Sequence, residues 1–470
     1  MSSIAQKLER IFNPQSIAVI GASENPNKLG YHCMKSLRRS GFEAVYPINP
    51  RSSKVWGLKA YPSLKEVPQE IDLAIMVIPA PSVPSAINDC AAKGVKGIVL
   101  ITAGFKEAED PAKAKLQSEV ALQADRLGIK VIGPNTFGFV NLSAHLNASF
   151  TPEFLAARKG DISLVSQSGG VCHLLAPLLM RSEKVIGFSK IVGLGNRCNL
   201  DFADMLEYLV EDPQTRVILI YLEGVDDARG LIEVAKRVVR KKPVVAFKAG
   251  KGRSADKAAF SHTGSSAGNH ETYLAAFKQA GILLASNFEE LLDIGKALSL
   301  SFPPKGNRVA ILSAQAGPGI VAGDFSEAEG LTLSRFSEET KEKINALLPP
   351  LSHRSNPVDF GPAWYDWEKS KQLVQVVLAD ANVDALLLLS AYASANEPMI
   401  RELTDVLKLE ARQKPILACF PAPPGIWEEK TELEKAGIPV YPTPERTAKA
   451  MSSLARYGDI LYRSKEDSAA

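Results

Sequence analysis

The stretch best equipped for chemistry is Phe260–His270, which reads F-S-H-T-G-S-S-A-G-N-H. His262 stands between Ser261 and Thr263, and the small residues Gly264, Ser265, Ser266, Ala267 and Gly268 follow. Apolar residues at helical spacing come next: Tyr273, Leu274, Ala276, Phe277 and Ala280. The pattern predicts an imidazole on a polar loop just ahead of a helix. Small residues let backbone N–H groups close on an anion, and a helix N-terminus favours negative charge. Imidazole is nucleophilic near neutral pH and can carry a covalent intermediate. We read His262 as a residue that is transiently phosphorylated, with Thr263 and Gly264 beside the phosphoryl group. A Gly/Ser-rich loop with an incidental histidine is the competing reading of this stretch taken alone.

A second anion candidate is Ser166-Gln167-Ser168-Gly169-Gly170. An apolar strand enters it, small residues turn, and a helical pattern leaves, which aims N–H groups and hydroxyls at a phosphate. Ser166 or Ser168 also suits a plain helix N-cap, and capping is compatible with anion binding. A serine nucleophile is disfavoured because G-x-S-x-G is absent. Glu223 follows the apolar run Val217–Leu222. A carboxylate there can accept the Nδ1–H of His262 and leave Nε2 free to attack; the alternative is a solvated carboxylate. Lys248, Lys251, Arg253 and Lys257 precede the histidine and either attract phosphate or form a solvated loop. His32, His145, His173, His270 and His353 show no partner pattern and are expected to be structural or surface residues.

Near the N-terminus, Gly21-Ala22-Ser23 follows the first predicted strand, where a doubly wound sheet binds nucleotide phosphates. The motif is not G-x-G-x-x-G, and the second strand ends in Asn49-Pro50-Arg51 with no acid for a ribose hydroxyl. NAD is therefore disfavoured, while Arg51 suits a ribose phosphate of the kind found in NADP and coenzyme A. The alternative is a tight turn with a solvated arginine. Pro79, Thr102, Gly104 and Asn135 lie at the ends of three further strands and are expected to line the same crevice.

These residues need a scaffold, and the pattern supplies one. Strands are predicted at Ser16–Gly21, Ala44–Ile48, Ile71–Ile78, Gly97–Ile101 and Lys130–Ile132, with helices at Leu29–Arg39, Val83–Lys93 and Ala112–Leu127. Short apolar runs alternating with amphipathic helices mean a doubly wound parallel sheet. The first domain is placed at residues 1–150. A second, 160–300, carries strands at Ile162–Val165, Val217–Leu222 and Pro243–Lys248. A third, 306–463, repeats it: Val309–Leu312 with Ser313-Ala314-Gln315-Ala316-Gly317 parallels Ile162–Gly170, and Ala385–Leu389 parallels Val217–Leu222. No histidine follows its last strand, which suggests duplication with chemistry lost from one copy. Asn356-Pro357-Val358-Asp359 is read as a turn before Phe360.

At 470 residues, several domains are expected. A composition of 46% hydrophobic and 23% charged residues is that of a soluble globular protein. A net charge of +3 makes no case for nucleic acid as the main partner. The five cysteines include no Cys-x-x-Cys pair, so no zinc site or disulfide framework is indicated, and reduced thiols in a cytoplasm are expected. Met1–Arg10 lacks a signal-peptide apolar core, and no apolar run is long enough to span a bilayer.

Taken together, V-I-G-A-S (19–23), G-P-N-T-F-G (133–138), S-L-V-S-Q-S-G (163–169), Y-L-E-G (221–224), S-H-T-G (261–264) and N-P-V-D (356–359) resemble the NDP-forming acyl-CoA synthetases. The likeness is to the α subunit of the ADP-forming acetyl-CoA synthetases and, more distantly, to that of succinyl-CoA synthetase. It covers nearly the whole chain. The resemblance implies a Rossmann-like coenzyme A-binding domain followed by two flavodoxin-like, doubly wound domains. It implies that Gly21, Ala22, Ser23, Asn49, Arg51, Pro79, Thr102, Gly104 and Asn135 serve coenzyme A. It implies that His262 is the phosphohistidine, that Glu223 stands beside it, and that Ser166–Gly170 holds phosphate. ADP or ATP with Mg2+ would be bound by an ATP-grasp β subunit, in an αβ or α2β2 hetero-oligomer; no metal site of its own is expected in this chain.

Three departures stand out. Ser265-Ser266 replaces an Ala-Leu pair, Cys172 and His173 make the helix after Ser166–Gly170 more polar, and Ala314–Gly317 is less glycine-rich than usual. Substrate choice is therefore open to differ from acetate. Competing expectations are a coenzyme A-binding regulatory paralogue without turnover, an NADP-dependent oxidoreductase, and a serine hydrolase using Ser168 with His262.

Overall fold

The computed structural model of the chain describes residues 2–181, 186–252, 270–391, 393, 397–421 and 428–469. They form two compact units, one of Met1–Glu183 with Gly187–Ser286, the other containing Asn287–Ala470.

The first unit holds two sheets. In the first, β1 (Ile17–Ile20), β2 (Val45–Ile48), β3 (Leu73–Met76), β4 (Gly97–Leu100) and β5 (Lys130–Ile132) lie in the order β2-β1-β3-β4-β5, all parallel. Every residue of β1, β3 and β4 is buried, because helices cover both faces of such a sheet. Each large aliphatic side chain enclosed in this way contributes about 1.5–3 kcal/mol. The chain leaves β1 for one neighbour and returns on the other side, so the crevice at its carboxyl end is the topological switch point.

The second sheet is built from β6 (Gly138–Asn141), β7 (Leu146–Ser149), β8 (Lys159–Ser166), β9 (Phe188–Gly193), β10 (Val217–Leu222), β11 (Val244–Lys248) and β12 (Leu283–Leu284). Its order is β12-β11-β10-β8-β9-β6-β7. Here β8 is the switch strand, and it ends at Ser166. The hairpin β6–β7 is antiparallel and pairs with β9 through Val140 opposite Ile191, so residues 138–149, expected in the first domain, complete the second sheet. Within the hairpin Gly138, at φ +102°, lies so near Ala148 O that a Cβ would stand 2.2 Å from it.

The two sheets are stitched together at their carboxyl edges. The amides of Asn196 and Cys198 donate to Pro134 O (2.9 Å) and Gly133 O (3.0 Å), and the Thr136 hydroxyl donates to Gly193 O (2.6 Å). This brings the end of β5 against the end of β9 and opens a cavity beside the turn after β8.

The second unit repeats the design. Strands β13 (Arg308–Ser313), β14 (Thr332–Leu333), β15 (Val358–Asp359), β16 (Ala385–Leu389), β17 (Ile416–Cys419) and β18 (Val440–Tyr441) are parallel, in the order β14-β13-β16-β17-β18, with β15 also on β13. Asn356-Pro357-Val358-Asp359, expected as a turn, leads into β15. The Asn356 amide receives Ile311 N–H (2.9 Å) and donates to Val309 O (2.8 Å) and Ser334 O (3.2 Å). No helix among the described residues is long and apolar enough to cross a membrane.

Candidate functional site

The turn after β8 is held closed by its own side chains. The Ser166 hydroxyl donates to Ser168 O (2.7 Å), the Gln167 amide donates to Tyr221 O (3.0 Å), and Val171 N–H donates to Ser168 Oγ (3.4 Å). The helix Gly169–Arg181 starts from this turn. Its first amides lack intrahelical acceptors by construction, so they point their positive ends outward.

Gln167 is only 3% exposed. Its Oε1 accepts from the amides of Glu223 (2.8 Å) and Gly224 (3.2 Å). Two N–H donors at one end of a carboxamide settle which end is oxygen. The other end, Nε2, is buried with no hydrogen-bond partner among the described residues. Leaving such a donor unmet costs about 1–3 kcal/mol, which suits a group kept for a ligand's oxygen.

Gln167 lines a cavity of about 320 Å³. Its lining also includes Ser168, Gly169 and Gly170 of the same turn, Leu29, Ile101 and Ala103 from the first sheet, the aromatic residues Phe137, Phe150 and His173, and the polar Asn135, Thr136 and Asn196. Asn135, at φ +57°, donates its amide N–H to Thr102 O (2.9 Å). Asn196 donates to Glu107 Oε2 (2.5 Å) and Gln117 Oε1 (2.9 Å), and Gly104 N–H donates to Glu107 Oε1 (2.5 Å). Burial opposes the charge of Glu107, but these donors outweigh it and hold its carboxyl below the usual carboxylate range. Gly104 and Asn135 are thus tied into one network.

Glu223 lies one residue past β10 and is buried. Tyr221 donates its hydroxyl to Glu223 Oε1 (3.3 Å). Burial, and then the neighbouring carboxylate, push the phenol well above its ordinary value, so it stays a donor. Lys248, also buried, donates to Ala249 O (2.5 Å) and lies 4.9 Å from the Tyr273 ring centre. Lys251 is exposed. His262, Thr263 and Gly264 lie outside the described residues, as do Arg253 and Lys257.

His173, expected to be a structural or surface residue, is held by bonds at both ring nitrogens and also lines the cavity. Its Nδ1 is 2.7 Å from Gly169 O and must carry the proton; Nε2, 2.7 Å from Thr151 Oγ1, accepts from the hydroxyl. The ring stacks on Phe150 (5.7 Å between centres) and meets Phe137 edge-on (5.6 Å). Its i+4 spacing from Gly169 in the first helical turn was the available signal. Phe137 stands within G-P-N-T-F-G (133–138), whereas Asn196 and Phe150 carried none. The hydrolase expectation pairs Ser168 with His262, which lies outside the described residues.

The first-sheet crevice collects the other candidates. Gly21 has φ +93°, and a Cβ there would stand 2.3 Å from Val77 O, so only glycine fits. Asn49 donates to Ala22 O (2.9 Å) and accepts from Arg51 N–H (2.8 Å), so it shapes the turn with both ends of its amide. Ser23 Oγ accepts from Asn25 N–H (3.0 Å), and the Thr102 hydroxyl donates to Ile78 O (2.7 Å). Arg51 and Pro79 are exposed at the mouth.

Comparison with known proteins agrees with this layout. A coenzyme A-binding domain model matches residues 15–141, and the model of a succinyl-CoA ligase-like flavodoxin domain matches 159–298. The chain is 42% identical to the α subunit of acetate–CoA ligase (ADP-forming) II of Pyrococcus furiosus, over 96% of this chain and 97% of that one. It is 42% identical to acetate–CoA ligase (ADP-forming) I of Archaeoglobus fulgidus, over 98% of this chain but 65% of that longer protein. A solved structure of the dinucleotide-forming acetyl-coenzyme A synthetase 1 of Ca. Korarchaeum cryptofilum, in complex with phosphate and ADP, superposes with a TM-score of 0.87 at 37% identity, covering 97% of this chain and 98% of that chain.

Proposed function

We propose, since this chain belongs to the ADP-forming acetate–CoA ligase family, that it is the α subunit of an acid–thiol ligase interconverting acyl-CoA, ADP and phosphate with carboxylic acid, coenzyme A and ATP. The observation that carries the reading is the cavity itself. It joins the switch-point crevice of a coenzyme A-type sheet to a closed serine turn where Gln167 Nε2 waits for an acceptor.

Coenzyme A would lie in the first-sheet crevice against Gly21, Ala22, Ser23, Arg51, Pro79, Thr102, Gly104 and Asn135, with Asn49 holding the turn in shape. Phosphate would sit at Ser166–Gly170, where helix amides and the Gln167 donor favour its charge. In the direction of ATP synthesis a phosphate oxygen attacks the thioester carbonyl, the C–S bond breaks, and coenzyme A leaves and takes up a proton. The acyl phosphate then meets His262. Nε2 attacks phosphorus, the P–O bond to the acyl group breaks, and the carboxylate departs. Glu223 accepts Nδ1–H and stabilises the charged ring. A β subunit of the ATP-grasp type, in an αβ or α2β2 assembly, would present ADP with Mg2+; a β-phosphate oxygen takes the phosphoryl group and frees the imidazole. Transfer of this kind depends on position and charge stabilisation, which loops and helix termini provide. All five cysteines are free thiols, in keeping with work in a reducing cytoplasm.

The test uses the assembled complex with labelled ATP and magnesium. Acid-labile, base-stable label on His262, lost in His262→Asn together with acyl-CoA formation, is the expected result. Undiminished acyl-CoA formation by His262→Asn sinks the proposal. Absence of label with tight coenzyme A binding would favour the regulatory paralogue.

A further inference from the structure

We infer that Tyr273 is a positioning residue for the reaction: its hydroxyl ties the turn that carries Glu223 to the helix that follows His262 in sequence. The inference rests on the ligase reading above and adds a residue to it. β10 ends at Leu222, whose neighbour across the ladder is Lys248. Beyond that point the amides of Glu223, Gly224 and Val225 have left the ladder, and a buried N–H needs an acceptor. Side chains meet all three. Gln167 Oε1 accepts from Glu223 (2.8 Å) and Gly224 (3.2 Å), and the Tyr273 hydroxyl accepts from Val225 (3.3 Å). Val225 is buried, which leaves its amide little access to water.

The phenol is itself held in place. Tyr273 lies in the first turn of the helix His270–Ala280 and meets the ring of buried Phe277 edge-on, with centres 5.9 Å apart. Lys248, the last residue of β11, places its ammonium over the Tyr273 ring, 4.9 Å from the centre. Lys248 is buried, and a cation attracts a ring face more strongly where water is excluded. Neither contact uses the hydroxyl, so removing the hydroxyl alone leaves both standing. The backbone of Glu223 is thus suspended between the turn after β8, through Gln167, and this helix, through Tyr273. Misplacing a reacting group by about 1 Å can cost about 100-fold in rate, so a bond to the backbone that carries the Glu223 carboxylate is felt in turnover.

The assembled complex is assayed for acyl-CoA formation and for His262 labelling by ATP, as wild type, Tyr273→Phe, Glu223→Ala and the double variant. Tyr273→Phe is expected to lower kcat about three- to tenfold, with the KM for coenzyme A unchanged. In the Glu223→Ala background the same substitution costs nothing further, because the turn then has no carboxylate to place. An equal loss in both backgrounds, or no loss of kcat in either, overturns the inference and leaves the ligase reading standing. If the wild-type complex neither labels nor turns over, the ligase reading fails by itself. Hydrogen exchange on the full chain then decides the role of Tyr273. Faster exchange across residues 223–225 in Tyr273→Phe supports it as the tie that holds the turn, and unchanged exchange there overturns it.

Discussion

The turn after β8 and the turn after β13 are built alike and equipped differently. Ser166 Oγ donates to Ser168 O at 2.7 Å; Ser313 Oγ donates to Gln315 O at 2.6 Å. The next amide in each, Gln167 or Ala314, donates to the partner strand's Tyr221 O or Leu389 O. In each turn a glutamine Oε1 accepts from the amide two residues further along that strand: Gln167 from Glu223, Gln315 from Ala391. The strut is the same, but the glutamine sits one position later in the second turn. The strand registers make Tyr221 the counterpart of Leu389 and Glu223 the counterpart of Ala391. The second turn thus keeps the serine bond, the strand-to-turn bond and the glutamine strut, has no counterpart of the Ser168 hydroxyl cap among the described residues, and carries Leu389 and Ala391 where the first has the phenol and the carboxylate. The comparison teaches that the serine and glutamine bonds belong to the fold, and that under the proposed function the chemistry falls to the few side chains those bonds do not require.

The strongest way to break this contrast is to give the first turn the residue of the second. Glu223→Ala is expected to slow acyl-CoA-dependent ATP formation on the order of 10²–10⁴-fold, the range for a group that orients a catalytic imidazole. Phosphate binding by the full chain, followed by calorimetry, should barely change; an unimpaired rate would show that the carboxylate is only structural. Gln167→Glu comes next. One carboxylate oxygen can still receive both amides, but the other replaces a donor with a negative charge. The KM for phosphate should rise about 10–100-fold at neutral pH. It should recover as pH falls and the carboxyl regains a proton, a rescue that a strut without contact to phosphate would not produce.

Gln315→Ala sharpens the contrast from the other side. It should leave turnover unchanged and cost about 0.5–1.5 kcal/mol in denaturant unfolding of the second unit. A loss of activity matching that of Gln167→Glu would make the two turns functionally equivalent. The smallest effect concerns the brace found beside the first turn. Glu107 is held below its ordinary value of 4.5, so its stabilisation is complete above that value and fades as pH falls through the lower folded-state value. Glu107→Gln should flatten that acid limb slightly in pH-dependent melting, and an unchanged limb would mean that Asn196 is held without the charge.

Much of this was legible before any coordinates. The helix Leu29–Arg39 and the strands Lys130–Ile132, Val217–Leu222 and Ala385–Leu389 fall where periodicity placed them, because continuous apolar runs between turn residues suit parallel strands covered on both faces. Ser166–Gly170 and its degenerate copy were visible as small residues between a strand and a helix. The hairpin β6–β7 was not placed, because its partner residues on β9 lie about fifty residues onward and local pattern does not encode strand order. His173 was read as polar, yet Thr151 and Gly169 turn it into part of an aromatic wall.

Sequence by itself determined the strand–turn–helix units, the parallel between the patterns of the second and third segments, and which residue types stand at each strand's carboxyl end. All of these follow from short-range terms: side-chain period, backbone freedom and helix polarity. Tertiary structure alone decided that the end of β5 meets the end of β9, that a cavity opens between two sheets, and that one glutamine is locked with its nitrogen unmet among the described residues. Those outcomes depend on hydrogen bonds between segments some fifty residues apart, such as Gln167 to Glu223. No local preference specifies such a pairing until the sheets have packed.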